Sequence, residues 1–118
     1  MSDKRGYVAE FAALAETDLV AIAGYLADQR DIETARRLVA KMRDRATALS
    51  QFPLRGAQPR ELEGANRAGY RQLNEGPYRI IYRIADRRVI IMMIVDGRRD
   101  MQTLLRERLL RPEIDTSD

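Results

Sequence analysis

Cysteine, histidine and tryptophan are missing from this chain of 118 residues. Without cysteine there are no disulfides and no thiolate nucleophile, and without histidine there is no imidazole acid–base chemistry. The loss of both removes every Cys/His zinc site. Long apolar runs are missing too. The longest mainly apolar stretch, Val89 to Val95, has seven residues and is far too short to cross a bilayer. Met1-Ser2-Asp3-Lys4-Arg5 leads into the chain with no apolar signal segment behind it, so the expected location is the cytoplasm, away from any membrane.

The residues present describe a globular domain. Hydrophobic residues make up 45% and charged residues 33% of the chain, a balance that supports a packed core in a single unit. We expect one domain over residues 1–111 and an acidic, disordered tail over 112–118. The net charge of +3 conceals a division along the chain. Residues 1–53 carry eight basic and eight acidic side chains, residues 54–111 carry thirteen arginines against seven acids, and residues 112–118 carry three acids and no base. Every cation in the middle block is arginine, whose planar fork of donors suits phosphate or carboxylate partners. A solvated arginine-rich surface would have the same composition.

The pattern of apolar residues gives the order of elements. Tyr7 to Phe11 is a short β-like opening. Ala15, Leu19, Ile22 and Leu26 then recur at helical spacing, followed by Ala35, Leu38, Met42, Ala46 and Leu49. Asp31 is placed to cap the second helix and Pro53 to stop the chain beyond it, so the two form an antiparallel helical hairpin. Residues 54–68 show no period and read as a long loop. Tyr70 to Leu73, Tyr78 to Ile84 and Val89 to Val95 read as strands joined by tight turns at Glu75-Gly76-Pro77 and Ala85 to Arg88. Asp100 is placed to cap a final helix striped by Met101, Leu104, Leu105 and Leu109. The class is α+β, in the order β-α-α-β-β-β-α, with a small antiparallel sheet, the helical hairpin on one face and a C-terminal helix.

In the central strand Tyr78, Ile80, Tyr82 and Ile84 share one face, and Arg79, Ile81 and Arg83 share the other. The hairpin covers only one face, so the tyrosines are expected in the core and Arg79 and Arg83 on the opposite, concave face. The leucine stripe of the last helix either packs on the sheet or forms a seam for a partner in a groove.

Three segments resemble the ParE/RelE toxin superfamily of type II toxin–antitoxin systems. They are Ala15-x-x-Asp18-Leu19-x-x-Ile22-x-x-Tyr25-Leu26-Ala27, then Gly69-Tyr70-Arg71-x-Leu73-x-x-Gly76-x-Tyr78-Arg79-Ile80-Ile81-Tyr82-Arg83-Ile84, then Val95-Asp96-Gly97-Arg98-Arg99-Asp100 leading into the leucine-rich helix. Together they span roughly residues 7–110, and the Gly-Arg-Arg-Asp tetrad resembles the ParE branch more closely. The resemblance implies a toxin neutralised by a cognate, ParD-like antitoxin, reaching operator DNA only through that antitoxin and using no cofactor or metal. For the ParE branch it implies inhibition of DNA gyrase by protein binding. For the RelE branch it implies ribosome-dependent cleavage of messenger RNA.

A ribonuclease that drives a 2′-oxygen onto the neighbouring phosphate needs a base, an acid and cations for the developing charge. Here Arg79 and Arg98 or Arg99 match the arginines of the RelE-like pattern, but arginine cannot serve as the base. The sheet half has no lysine, and its last tyrosine is Tyr82. Asp96, Asp100 and Glu107 are the remaining proton acceptors near the last helix. A binding inhibitor needs only a surface, and a third reading, an inactive relative that binds its antitoxin alone, stays open. The residues expected to meet a target or the antitoxin are Arg79, Arg83, Arg98 and Arg99, with Leu104, Leu105 and Leu109. No catalytic residue is expected unless the chain is a ribonuclease, in which case Arg79, Arg98 and Arg99 would carry the charge.

Overall fold

In the computed structural model, residues 6–66 and 68–109 are described. Strand β1 (Val8–Phe11) leads into helix α1 (Ala13–Gln29) and helix α2 (Ile32–Leu49). After a loop with one 3-10 turn (Arg60–Leu62) come β2 (Arg71–Glu75), β3 (Tyr78–Ala85), β4 (Arg88–Asp96) and α3 (Met101–Leu109). The acidic segment 112–118 lies outside the described residues.

Local signals account for these boundaries. Asp31 caps α2 by accepting the Thr34 amide at 2.7 Å. The start of α1 at Ala12 has no side-chain cap. Asp100 accepts the Thr103 amide at 3.2 Å and so starts α3. Gly76 (φ 59°) and Asp86 (φ 57°) take the positive φ at the first position of the two tight turns, which matches the twist of the flanking strands.

The sheet order is β1-β4-β3-β2. Strands β2, β3 and β4 form the expected antiparallel meander, whereas β1 adds to β4 in parallel and makes the sheet mixed. That parallel pairing is possible because the α1–α2 hairpin and the meander intervene between the two strands. Ile81 pairs with Met93 but Tyr82 pairs with Ile91, so Met92 is the extra residue of a β-bulge. The bulge exchanges the faces along β4. Val89, Ile91 and Ile94 join the core beneath the hairpin, while Met93 and Val95 face the other way.

There are accordingly two apolar layers. Ala15 and Leu19 of α1, Met42, Ala46 and Leu49 of α2, and Ile80, Tyr82, Val89, Ile91 and Ile94 of the sheet form the larger one. Arg43 of α2 binds Glu16 of α1 through two bonds of 3.0 and 3.1 Å across the hairpin. On the opposite face Met101 and Leu105 of α3 pack with Leu62, Tyr70, Ile81, Met93 and Val95. The leucine stripe therefore packs on its own sheet, and the face opposite the hairpin is closed over much of its area.

Candidate functional site

The residues expected to act together are distributed over three environments. Arg79 points from β3 toward the 3-10 turn and lies under it, its side chain only 13% exposed. Its guanidinium forms a fork with Glu61, two bonds of 2.8 Å, and also donates to the Gln72 amide oxygen. The hydrogen bonds that Arg79 donates, aided by its charge, hold the Glu61 carboxyl far below the usual carboxylate range, at about 2. Arg79 is thus not on an open face, because the loop that sequence leaves without a period folds back over it. A polar cleft of about 430 Å3 around it is lined by Arg60, Glu61, Gln72, Asn74 and Arg79.

Arg83 is half-buried further along the same strand and has no ion-pair partner among the described residues. It lies close enough to Tyr70 to oppose the rise that burial imposes on that phenol. The Tyr70 hydroxyl donates to the Leu109 carbonyl at 3.3 Å, fastening the end of α3.

Arg98 and Arg99 stand in the exposed turn between β4 and α3. Arg98, 79% exposed, forms a fork with Asp96. This pair, together with the Arg98 amide, brings the Asp96 carboxyl down to about 2. The Arg99 side chain makes no hydrogen bond or ion pair among the described residues, adds its charge to the field on Asp96 and, with Asp100, Thr103, Leu104 and Glu107, lines an open recess on the outer side of α3. Leu105 is fully buried, while Leu104 and Leu109 are half-buried beside it. Of the seven residues singled out in sequence, Arg99 and Leu104 therefore share one accessible recess, and Arg98 is exposed on the same turn but outside it. Arg79 and Leu105 belong to the interior.

Two further surfaces escape the reading of sequence. Val20, Ala23, Gly24 and Ala27 of α1 face Ile32, Ala35, Arg36, Val39 and Ala40 of α2 across a trough of about 550 Å3 with almost wholly apolar walls. Val20 and Ile32 are 70% and 61% exposed at its edges. Arg36 has no partner among the described residues. The signal is a second stripe on each helix, at i, i+3, i+4 and i+7, offset from the stripe that enters the core. The other surface is the loop after α2, where Phe52 and Leu54 are exposed.

No group of three or more Asp, Glu, His or Cys side chains that could hold a metal exists among the described residues. No described helix is long and apolar enough to cross a membrane.

The chain matches the family model described as the ParE toxin of type II toxin–antitoxin system, parDE, over residues 9–101, from β1 to the first residue of α3. Among solved structures it is similar to a chain described as belonging to the chromosomal ParDE TA system from P. aeruginosa. That likeness has a TM-score of 0.64 at 20% identity and covers 78% of this chain and 97% of that one. At such identity the likeness is one of fold. No curated protein matches the chain.

Proposed function

Because the chain belongs to the ParE toxin family of type II toxin–antitoxin systems, we propose that it is the toxin of such a pair, inhibiting DNA gyrase by binding and held in check by a cognate antitoxin. The observation that carries this reading is the state of its arginines. Arg79, the strand arginine that phosphate chemistry would require, is buried and neutralised by the Glu61 fork, and Arg98 is engaged by Asp96, while Arg99 is displayed on a turn. A guanidinium already bonded to a carboxylate offers little charge to a developing phosphorane. Arg99, displayed beside half-buried Leu104, instead has the composition of a protein-binding surface.

The antitoxin is assigned to the trough on the hairpin. Its floor of alanine and glycine lets a backbone approach closely, and Val20, Ile32 and Val39 form ridges that fit between the side chains of a helix. Arg36, unpaired at the rim, calls for a carboxylate on the occupant. The occupant is therefore an amphipathic helix with an acidic residue beside its apolar face.

The test is supercoiling by purified gyrase with the protein titrated in, beside a ribosome-programmed assay of mRNA cleavage. Loss of supercoiling with intact mRNA is the expected result. Cleaved mRNA with unaffected gyrase would overturn the reading in favour of a ribonuclease.

A further inference from the structure

The loop that follows α2 combines two properties that seldom coincide, apolar exposure and rigidity. Phe52 is 58% and Leu54 65% exposed, two residues apart on a short connection. Single exposed apolar residues are ordinary on a protein surface. Here, however, the backbone that carries them is held from several directions.

The Tyr82 hydroxyl, fully buried in β3, donates to the Pro53 carbonyl and accepts the Gly56 amide, each at 2.8 Å. Arg71 of β2 donates to the carbonyls of Leu54 at 3.3 Å and Gly56 at 2.6 Å. The Phe52 amide still bonds back to Ala48 in α2, and Ala57 and Gln72 exchange two backbone bonds. Gly56 admits no side chain, since a Cβ there would lie 2.6 Å from the Gln72 carbonyl oxygen and 2.8 Å from the Tyr82 ring. The Arg55 guanidinium stands over the Phe52 ring, 5.7 Å from its centre.

Every hydrogen bond of this anchor acts on the backbone, and the Phe52 ring is met only by the Arg55 guanidinium. Such an arrangement presets the shape of a contact before the partner arrives, so little ordering entropy remains to be lost on binding. The chemistry of the partner follows from the residues displayed. Two large apolar tips require an apolar pocket. Arg55, with no acid between Ser50 and Pro59, requires a carboxylate at its rim, whereas Arg60 already faces Glu61. Two exposed apolar side chains on a fixed backbone suit a recess in a folded protein. The trough on the hairpin is a recess itself and takes an inserted segment. The two surfaces lie toward opposite ends of α2, on the order of 15–25 Å apart at 1.5 Å per residue.

We infer that Phe52 and Leu54 insert into an apolar, acid-rimmed pocket of the toxin's folded target, separately from the surface that holds the antitoxin. This rests on the proposed assignment of gyrase as the target.

The experiment compares wild type with Phe52→Ala/Leu54→Ala and with Arg55→Glu. It measures gyrase supercoiling and, in parallel, binding of the cognate antitoxin by calorimetry. The double variant is expected to need at least about tenfold more protein for half-inhibition, as loss of a central apolar anchor does. Its melting temperature and antitoxin affinity should be unchanged, because both side chains are already in solvent. Arg55→Glu should weaken inhibition in the same direction. Wild-type potency in the double variant would overturn the inference, as would a loss of antitoxin binding in place of inhibition. A wild-type protein that leaves gyrase untouched would overturn the target assignment itself, and the wild-type arm alone shows this.

Discussion

Asp18 of α1 and Arg108 of α3 stand ninety residues apart in the chain and meet at 3.1 Å over the β-bulge of β4. The pair does more than join two helices. Asp18 accepts the Ile94 amide at 2.9 Å, and Arg108 donates to the Met92 carbonyl at 3.3 Å. Strand β1 ends at Phe11, opposite Ile91, so β4 has no strand neighbour on that side beyond the bulge. The two side chains thus supply hydrogen bonds that a continued ladder would have supplied, and they fasten α3 across the sheet.

Removing the acid should therefore cost more than removing the base. Asp18→Ala leaves the Ile94 amide without its acceptor and a largely buried guanidinium without its carboxylate, with only the Met92 carbonyl remaining to it, and is expected to destabilise by about 2–3 kcal/mol. Arg108→Ala leaves Asp18 still bonded to Ile94, so its cost should be smaller, about 1 kcal/mol. Urea denaturation of the two single variants and the double variant measures the coupling. Additive effects would mean that the pair is not coupled.

The Glu61–Arg79 fork makes stability depend on acid. Glu61 titrates at about 2 in the folded chain against an ordinary 4.5, so its contribution is complete above pH 4.5 and is lost as the pH falls toward 2. With a quarter of the Glu61 side chain exposed, this contribution is on the order of 2 kcal/mol. Glu61→Gln should flatten the decline in melting temperature between pH 5 and pH 2. An unchanged slope would show that the fork contributes nothing. The Arg98–Asp96 fork, far more open to solvent, should have little influence on the same curve.

The anchor of the loop after α2 can be weakened at either of its ends. Tyr82→Phe removes one buried hydroxyl that serves both Pro53 and Gly56, with an expected loss of about 1–3 kcal/mol. Gly56→Ala forces a methyl group against the Gln72 carbonyl and the Tyr82 ring, and should cost as much or more. Thermal melts report both values, and a neutral Gly56→Ala would mean that the loop gives way freely.

Leu105 and the arginines of the preceding turn should behave differently. Leu105→Ala opens a cavity in the layer beneath α3 and is expected to cost about 2–5 kcal/mol. Arg98→Ala and Arg99→Ala alter exposed side chains and should leave the denaturation midpoint nearly unchanged while weakening gyrase inhibition. Denaturation and supercoiling together separate the two classes. A destabilised Arg99→Ala would assign that arginine a structural role.

The trough permits a test in which stability and binding move apart. A Cβ at Gly24 would meet nothing within 4 Å, so Gly24→Ala should stabilise α1 by up to about 1 kcal/mol. Val20→Glu, at a position 70% exposed, should leave the melting temperature unchanged and weaken the antitoxin. Full antitoxin affinity in Val20→Glu would remove the trough from the antitoxin surface.

Much of the architecture was legible from local pattern. Helical spacing placed Ala15, Leu19, Met42, Ala46 and Leu49 in the core, alternation placed Tyr82 there, and Asp31 and Asp100 marked helix starts, because each signal acts within a few residues. The mixed sheet, the bulge at Met92 and the closed second face were settled by contacts between distant segments, for which spacing carries no information. Arg79 shows the difference most plainly. Alternation assigned it correctly to the face opposite the hairpin, but whether that face is open depends on where residues 54–68 fold, and that loop has no period to read. The same holds for Phe52 and Leu54, which look like core candidates by type. Tyr82 and Arg71 seize the backbone around them and leave their side chains in water, so composition determined what these residues are and tertiary structure alone decided that they face outward.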